Sequence, residues 1–538
     1  MTAQEPQSPN AADPAGKSTS LGLLKKTSTV SAMTLLSRIL GLVRDVVFAR
    51  MFGASLVMDA FLVANRIPNM LRRFFAEGAF SQGFVPVMAR YRERHSDEEA
   101  REFVAATAGT LGAVLFLVTL LGVLAAPLLV IAVAPGFIGE DGRLELASLM
   151  LKFTFPYLFF VSLTALAGGV LNTHGRFAAP AFTPVILNVV LIAFAIWLSP
   201  ALEEPGMALA YAVLVAGILQ LLFQLPFLKS LGMLRWPRWQ PAHAGVRRAA
   251  RLMLPAVFGS SVAQLNILVG GIIASMLGVG KISLLYFADR LMEFPLGLFG
   301  IALATVTLPY LSRHHATQSH AAFSATLDWS MRLVLLIAAP AAAGLVLLAE
   351  PLVASIFYGG AFSAEDVMLT ALALKAFALG LIGFSFVKIL APAYFARENT
   401  VTPVRIGLIA LAVNFVLSVT LAWYLTRAGH AAAHAGLALA ISIAAILNAA
   451  LLYRGLRREA VIEHGEGWLA LLLRVTLAGV AMCVILIILV EPVSWWLDAS
   501  LAERVLKLAL SVAAGVVTYL IALFVLGMRP SQLGMRPH

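Results

Sequence analysis

Long apolar segments recur along this chain from about residue 27 to residue 527. Each holds roughly twenty residues or more, which is enough to cross a bilayer as an α-helix. Of the 538 residues, 60% are hydrophobic and 12% are charged, and a soluble protein carries about twice that charged fraction. We therefore predict an all-α polytopic membrane protein with about fourteen transmembrane helices.

Basic residues gather in alternate connections between the apolar segments, most densely in "KSLGMLRWPRWQPAHAGVRRAAR" (229–251). The opposite connections, such as 139–145 and 201–206, are acidic or sparse in charge. Because Lys and Arg in short loops stay on the cytoplasmic side, both termini are predicted to be cytoplasmic. The formal net charge of +11 follows from this topology, and no nucleic-acid partner is expected. The lone cysteine, Cys483, excludes an intrachain disulfide.

The chain also repeats itself. The segment 51–91 matches 276–314, with Ala64-Asn65-Arg66 against Ala288-Asp289-Arg290, and 175–190 matches 396–411, with Thr183-Pro184 against Thr402-Pro403. The spacing of roughly 220 residues holds six spans, so the two copies have the same orientation across the membrane. This predicts two pseudo-symmetric six-helix lobes that rock about a central site.

These repeats give a predicted domain organisation. A polar, Pro- and Ser-rich segment at 1–21 is predicted to be a disordered cytoplasmic tail. It is followed by an N-lobe (22–230) and a C-lobe (231–460), then by two extra helices without a partner in the repeat (461–528) and a short cytoplasmic tail (529–538).

Charged residues interrupt several of the predicted spans. In "NRIPNMLRRFFAEG", Arg73 and Glu77 are spaced i,i+4 and can neutralise each other, whereas Arg72 lies mid-membrane and is a candidate for binding an external anion. Pro68, Gly78, Gly83 and Pro86 predict that this helix is broken.

The first span and the C-lobe carry similar charges. "LLSRILGLVRDVVFAR" (35–50) contains Ser37, Arg38, Arg44 and Asp45, and we expect Arg38 to pair with Asp45 because they share a helix face. "YFADRLMEFPLG" (286–297) contains Asp289, Arg290 and Glu293, where Glu293 can pair with Arg290 at i+3. Several arginines at similar depth suit a phosphate or pyrophosphate, so the expected substrate is an anion with a large partner group.

The segments "SRILGLVRD", "DAFLVANRIPNMLRRFFAEGAFSQGFVPV" and "YFADRLMEFPLGLFGIAL" resemble the signature segments of the MurJ (MviN) family of lipid II flippases, within the MATE-like (MOP) exporter superfamily. The resemblance runs from about residue 22 to the C-terminus. It implies a bacterial inner-membrane transporter, not an enzyme, that moves lipid II to the periplasmic leaflet by alternating access during peptidoglycan synthesis. Lipid II is an undecaprenyl pyrophosphate that carries a disaccharide-pentapeptide.

The resemblance also implies roles for particular residues. The family's central-cavity arginines match Arg38, Arg44, Arg72 and Arg290, which are predicted to bind the pyrophosphate. Asp59 matches an acidic residue implicated at the periplasmic gate, and the other predicted gate or cavity residues are Ser37, Asp45, Arg73, Glu77, Asp289 and Glu293. In the family the last two helices form a groove for the lipid tail. The expected partners are lipid II, membrane lipids and the peptidoglycan synthesis machinery.

No cofactor or metal is predicted. The eleventh span offers Asn414 and Ser418 but no carboxylate, which argues against sodium coupling and leaves the membrane potential as an energy source. The run "HAAAH" (430–434) lacks the glutamate of a metalloprotease helix and is predicted to be a solvated loop. Lys152 and Lys375 occupy similar places in the two lobes and either line the cavity or snorkel.

Two alternative functions remain open at the level of sequence. One is a related MATE-like exporter of another polyprenyl-linked saccharide or of a small molecule. A drug exporter for cations would favour buried carboxylates over arginines, but another lipid-linked saccharide would share the pyrophosphate. The other alternative is a membrane glycosyltransferase, which would need a carboxylate-rich site outside the membrane, and the short loops do not offer one.

Overall fold

The computed structural model of the protein describes residues 14–75, 78–139, 141–316, 319–462 and 467–529. Within these ranges the chain forms helices joined by turns and contains no β-strand. The prediction of an all-α chain is confirmed for this part of the protein.

The helices of the N-lobe run up to residue 230. They are α1 (Pro14–Phe52), α2 (Leu56–Phe75), α3 (Gly78–Arg94), α4 (Asp97–Leu124), α5 (Ala126–Val133), α6 (Arg143–Thr154), α7 (Tyr157–Thr173), α8 (Ala178–Ala193) and α9 (Met207–Ser230). Short 3₁₀ turns occur at Pro135–Phe137 and Ser199–Ala201, and one π-helical turn at Phe194–Leu198 extends α8.

The C-lobe and the C-terminal pair follow. Their helices are α10 (Ala244–Ser275), α11 (Lys281–Ala316), α12 (His320–Leu347), α13 (Ala349–Ile356), α14 (Ala364–Phe395), α15 (Val401–Arg427), α16 (Ala433–Arg458), α17 (Trp468–Leu489), α18 (Val493–Asp498) and α19 (Leu501–Val525).

The N-terminal boundary of α1 differs from the prediction. The helix begins at Pro14, so residues 14–21, which we predicted to belong to a disordered tail, continue the helix. Once a helix exists, each added residue forms one more backbone hydrogen bond without the cost of a new nucleus. Residues 1–13 and the predicted C-terminal tail from 530 lie outside the described residues.

Ten stretches among the described residues are long and apolar enough to cross a membrane. The other four predicted spans coincide with α1, with α2 and α3, with α10 and with α11. Helices α1, α2 and α11 contain the charged residues that interrupt the apolar segments of the sequence. The protein is therefore a multi-pass membrane protein, and the number fourteen stays a prediction.

The predicted break in the second span lies between Phe75, where α2 ends, and Gly78, where α3 begins. Pro68 lies inside α2 and Pro86 inside α3, so neither proline ends a helix. Prolines are tolerated in membrane helices because neighbouring groups can satisfy the freed backbone carbonyl.

The internal repeat is visible in a joint that occurs once in each lobe. Ala125, between α4 and α5, has φ −89° and ψ 12°, and Leu348, between α12 and α13, has φ −98° and ψ 13°. In both joints the linking N–H donates to the carbonyl four residues earlier, at 2.8 Å. The same local geometry about 220 residues apart agrees with a structural duplication.

Helix α10 contacts both lobes. Near its start, a Cβ at Gly83 of α3 would lie 2.6 Å from the carbonyl oxygen of Ala249. Further along, Asn266 of α10 accepts a hydrogen bond of 2.7 Å from the side-chain amide of Asn414 in α15. The sequence assigned α10 wholly to the C-lobe, but its first half packs on the N-lobe.

The C-terminal helices α17 and α19 are attached to α12 and α13. Trp468 donates a hydrogen bond of 2.6 Å to Asp328, and the hydroxyl of Tyr519 donates one of 2.8 Å to the Leu336 carbonyl. Arg504 donates a bond of 2.9 Å to the carbonyl of Ala354. The outer faces of these helices are apolar and exposed, as lipid-facing surfaces are. Their use as a groove for a lipid tail stays a prediction.

Close packing in the C-lobe depends on small residues between α14 and α16. A Cβ at Gly383 would lie 2.7 Å from the backbone nitrogen of Ile446, and one at Gly380 would lie 2.6 Å from the Ser442 hydroxyl oxygen. That hydroxyl donates a hydrogen bond of 2.7 Å to the Ala376 carbonyl. Small residues let membrane helices approach closely where no hydrophobic effect drives them together.

We expect Gly383→Ala to lower the thermal stability of the purified protein, because its methyl group must push α16 away, at a cost of about 1–3 kcal/mol. The matched control is Gly479→Ala in α17, where nothing lies within 4 Å of the new Cβ. That control should keep or raise the Tm, since alanine is the better helix former. Equal Tm values for the two variants would contradict the role of Gly383 in packing.

Candidate functional site

A cavity of about 410 Å³ lies between the lobes, where α1 and α8 face α11 and α14. Its described lining residues are Ser37, Arg38, Gly41, Leu42, Arg44, Asp45, Asn188, Arg290, Glu293, Phe294, Leu296, Gly297 and Lys388. We call it the central cavity. Its volume is within the range of small-ligand sites.

Helical periodicity explains how α1 presents its polar residues to the central cavity. Ser37, Gly41, Arg44 and Asp45 recur at intervals of three or four residues, so they share one face of the helix. In α11, Arg290, Glu293 and Gly297 follow the same spacing. Two helices from different lobes therefore face each other through their polar sides.

Asp45 is the carboxylate at the centre of the site, with a side chain only 3% exposed. Nη2 of Arg44 lies 2.7 Å from Oδ1 of Asp45, and Nε of Arg290 lies 2.9 Å from its Oδ2. The hydroxyl of Tyr286 donates a further hydrogen bond of 2.7 Å to Oδ1. The carboxylate thus joins an arginine of its own helix to an arginine of the other lobe.

The expected pairing of Arg38 with Asp45 is wrong. The two residues share a face of α1, but they are separated by two turns, about 10 Å along the axis. Arg44 and Arg290 reach the carboxylate instead. The guanidinium of Arg38 extends across the cavity to α11, where a Cβ at Gly297 would lie 2.7 Å from its Nη1.

Asn188 of α8 fixes the orientation of Arg44. Its side-chain oxygen accepts a hydrogen bond of 3.0 Å from Nη1 of Arg44, and its nitrogen donates one of 3.1 Å to the carbonyl of Ser37. Sequence reasoning missed both Asn188 and Tyr286, because an asparagine or a tyrosine in an apolar helix gives no signal of its partner.

Two further ionic residues line the central cavity. Glu293 accepts a hydrogen bond of 2.8 Å from Nη1 of Arg290, which is the i+3 pair expected from the sequence. Lys388 comes from α14 and was missed, although a lysine inside an apolar span is the same signal that identified the arginines. Four cations and two carboxylates line the cavity, which is a formal excess of two positive charges.

Other predicted residues are not among those that line the central cavity. Arg72 is half-buried and Arg73 exposed in the last turn of α2, and Asp289 is half-buried in α11. Glu77 lies outside the described residues, so its pairing with Arg73 stays a prediction, as does the binding of an anion by Arg72.

Asp59 connects the lobes at the end of the protein where α11 begins, which we call the gate end. Its two carboxylate oxygens accept hydrogen bonds from the backbone N–H of Gly280 at 2.6 Å and of Ser283 at 2.9 Å, and from the Ser283 hydroxyl at 2.6 Å. A carboxylate from α2 therefore caps the N-terminus of α11, where unpaired N–H groups and the helix dipole favour negative charge.

Glycines bring the lobes together backbone to backbone at the gate end. A Cβ at Gly280 would lie 2.6 Å from the Ala54 carbonyl oxygen, and one at Gly360 would lie 2.2 Å from that of Arg50. Similar contacts join Gly53 to Ala361 and Gly136 to Ser275. Each pair links an N-lobe residue to a C-lobe residue, so main chain of both lobes meets at the gate end, beside a continuous apolar core that includes residues of both lobes.

Three side chains noted in the sequence have structural roles or remain at the surface. Nζ of Lys375 lies 2.5 Å from Glu350, so it joins α14 to α13, while Lys152 is exposed. His434, predicted to lie in a solvated loop, is instead buried and hydrogen bonded at 2.9 Å to the Leu369 carbonyl, because α16 starts there and packs on α14. Among the described residues no cluster of His, Cys, Asp or Glu could hold a metal ion.

Comparison with known proteins agrees with this arrangement of helices. Residues 48–507 match the family model described as lipid II flippase MurJ. A probable lipid II flippase MurJ of Vibrio cholerae is 45% identical over 95% of this chain and 97% of its own length. The lipid II flippase MurJ of Burkholderia cenocepacia is 43% identical over 86% of this chain and 89% of its own.

Solved structures give the same result. A lipid II flippase MurJ in an inward closed conformation has a TM-score of 0.76 at 26% identity, covering 92% of this chain and 97% of that one. An inward-facing multidrug resistance transporter of the MATE family has a TM-score of 0.64 at 14% identity, covering 80% of this chain and 98% of that one, and this likeness concerns the fold alone.

The chain thus has the fold of MATE-like membrane transporters, with a cavity between its two lobes. The family model matches most of the chain, and relatives of high identity match it across nearly their full length. These matches identify one family within that class. The chain belongs to the MurJ family of lipid II flippases.

We expect Asp59→Ala to lower the Tm of the purified protein, because α11 loses its cap and three hydrogen bonds across the gate end are lost, each worth about 1.5–3 kcal/mol when the acceptor is charged. Ser283→Ala removes only one of the three bonds and should cost less. Asp498→Ala, which removes the exposed carboxylate of the last residue of α18, serves as the control. If Asp59→Ala matched the control in a thermal unfolding assay, the cap would not contribute to stability.

Proposed function

We propose that this protein flips lipid II from the cytoplasmic to the periplasmic leaflet of the bacterial inner membrane. The central cavity binds the pyrophosphate, and the two lobes rock to expose it first to one side and then to the other. The observation that carries this proposal is the formal excess of two positive charges in a cavity between the lobes.

The charge of the substrate fits that excess. A pyrophosphate diester carries one negative charge on each phosphorus, so it would neutralise the central cavity. Guanidinium groups offer paired N–H donors that match phosphate oxygens, and they remain charged inside the membrane. Arg38 is best suited for first contact because it is exposed to the cavity, whereas Arg44 and Arg290 already contact Asp45.

Binding at Arg290 and Arg44 offers a route from the substrate to the lobes. A phosphate that competes with Asp45 for these guanidinium groups would weaken the ionic link between α1 and α11. A ligand shifts a conformational equilibrium only by its difference in affinity for the two states. The pyrophosphate binds the two states with different affinities if the cavity rearranges when the ionic link through Asp45 breaks.

The gate end is the periplasmic end in this proposal, and both termini are cytoplasmic. The support is the bias of Lys and Arg toward connections at the opposite end, such as 229–251. A cavity closed at the gate end by Asp59 and the glycine contacts then receives its substrate from the cytoplasmic leaflet. Opening of the gate end releases the substrate on the periplasmic side.

The membrane potential is the energy source that we propose, without sodium coupling or a cofactor. Moving one charge through 100 mV is worth about 2.3 kcal/mol, and the charged cavity provides groups that can respond to it. The side-chain amide of Asn414 donates a hydrogen bond to Asn266 and so joins α15 to α10, while the Ser418 hydroxyl donates to the Asn414 oxygen at 3.3 Å within α15. The peptidoglycan synthesis machinery is the expected source and destination of the substrate.

The experiment that tests the function is depletion of the protein in its host, followed by measurement of lipid II in the outer leaflet with a periplasmic probe that modifies exposed head groups. Loss of exposure with accumulation of lipid II inside the cell supports the proposal. Unchanged exposure, in a strain without a second flippase, would leave an exporter of another polyprenyl-linked saccharide as the better account.

In the same assay, we expect Arg38→Ala to lower the flipping rate by about tenfold or more, because charge-assisted hydrogen bonds worth about 1.5–3 kcal/mol are lost. Arg38→Lys should retain part of the activity, since a point charge replaces the fork of donors incompletely. Arg72→Ala tests the residue that the sequence alone proposed. Arg427→Ala, which removes an exposed arginine at the end of α15, should leave the rate unchanged.

A second prediction concerns the gate end. Gly360→Ala should increase labelling of a cavity cysteine, Leu42→Cys in a Cys483→Ser background, by a membrane-impermeant thiol reagent added from the periplasm. Its Cβ would lie 2.2 Å from the Arg50 carbonyl oxygen and would therefore separate the lobes. Gly429→Ala has a similar backbone strain, with φ +71° against +61°, but nothing within 4 Å, so it is the matched control. Equal labelling would show that Gly360 does not hold the gate closed.

A further inference from the structure

A second recess adjoins the central cavity on the side away from the gate end. It has a volume of about 390 Å³ and lies between α1 and the corner where α7 turns into α8. Ser37 and Arg38 line both spaces, so Arg38 stands at their junction. We call this second space the α1–α8 recess.

We propose that the α1–α8 recess is a subsite for the saccharide that is attached to the pyrophosphate of the substrate. This inference rests on the proposed function and adds to it the part of the site that recognises the head group. The central cavity, at about 410 Å³, is near the lower end of the range for small-molecule sites, whereas a disaccharide-pentapeptide on a pyrophosphate is larger than a typical small molecule and needs additional space.

The lining of the recess has the chemistry of a sugar site. Phe177, at the start of α8, offers an aromatic ring that is 39% exposed, and Pro180 and Pro184 add apolar surface on the same helix. Besides Ser37 and Arg38, the polar groups are the amide of Asn172 and the hydroxyl of Thr34, which donates a hydrogen bond of 2.8 Å to the Val30 carbonyl and keeps its oxygen as an acceptor. Apolar and aromatic faces with a few hydrogen-bonding groups are typical of small-molecule sites, and they suit the C–H face and the hydroxyl edge of a sugar.

The position of the recess favours the saccharide over the prenyl chain. Thr34 and Asn172 are exposed, and Asn172 lies beside the short connection between α7 and α8, which carries Arg176 and is predicted to be cytoplasmic. An isoprenoid chain would have to leave the site toward lipid, whereas the head group of the substrate starts in the cytoplasm. Because Arg38 lies between the two spaces, phosphates bound to it would lie next to both the central cavity and the α1–α8 recess.

The internal repeat supports a specific role for these residues. In the alignment that pairs Thr183-Pro184 with Thr402-Pro403, Phe177 corresponds to Ala396 and Pro180 to Asn399. Asn399 differs in role from Pro180, because its side-chain oxygen accepts a hydrogen bond of 3.1 Å from the N–H of Thr402 at the start of α15. The recess therefore breaks the symmetry of the lobes, as a site for an asymmetric ligand must.

The test compares two ligands on the purified full-length protein: lipid II, and undecaprenyl pyrophosphate, which lacks the saccharide and peptide. Ala181→Trp fills the recess from α8, and Thr400→Trp makes the same kind of change at the corresponding position of the C-lobe. We expect Ala181→Trp to raise the Kd for lipid II about tenfold and to leave the Kd for undecaprenyl pyrophosphate within about twofold. Thr400→Trp should change neither.

Phe177→Ala is a second variant that removes the ring without adding volume, and it should weaken lipid II binding selectively. An equal loss for both ligands in Ala181→Trp would mean that the recess holds the prenyl pyrophosphate portion and would overturn the proposal. Unchanged binding of lipid II by both variants would also overturn it. Failure of the unmodified protein to bind lipid II would contradict the proposed function itself, and is thereby distinguished from failure of the subsite.

Discussion

Asp45 accepts contacts from both lobes, and the arrangement of the site depends on it. A buried carboxylate or guanidinium alone inside a membrane is costly, and the cost falls when opposite charges meet in good geometry. Here Arg44, Arg290 and Tyr286 all reach the same carboxylate, which is 3% exposed. Because Arg290 belongs to α11 and Asp45 to α1, their contact links the two lobes, in addition to the pairs that Asp45 and Arg290 form within their own helices. The ionic contact thus holds the lobes in one relative position and provides the place where an anion can compete.

The two ends of the site use different physical interactions. Around the cavity the lobes meet through long charged side chains, which can exchange partners. At the gate end they meet through backbone at Gly53, Gly136, Gly280 and Gly360, and through the cap that Asp59 places on α11. At these glycines the backbones of the two lobes lie too close for any side chain to pack between them. This division suits a transporter whose binding site must adapt while its gate must be either shut or open.

The sequence predicted those parts of the site that are visible as local anomalies. A charge in an apolar helix stands out, so Arg38, Arg44, Asp45 and Arg290 could be identified without a structure, whereas Asp59 was identified only through the family resemblance. Lys388 carried the same signal and could have been found by the same rule. The partners of these charges could not, because Asn188 and Tyr286 are ordinary residues until the packing of α1 on α8 and α11 brings them near. The wrong pairing of Arg38 with Asp45 has a related origin: the helix periodicity was right, but the adjacent Arg44 and Arg290 of the other lobe reach the carboxylate instead.

The strength of the gate fits a modest energy source. Hydrogen bonds contribute about 0.5–1.5 kcal/mol each, and those to a charged group about 1.5–3 kcal/mol, so the three bonds to Asp59 amount to several kcal/mol. One charge moved through 100 mV supplies about 2.3 kcal/mol, which is of the same order. A substrate that displaces Asp45 from the guanidinium groups also contributes the difference between its binding free energies in the two conformational states. The hydrogen bonds to Asp59 are therefore of a size that the potential and the substrate together can offset in the proposed mechanism.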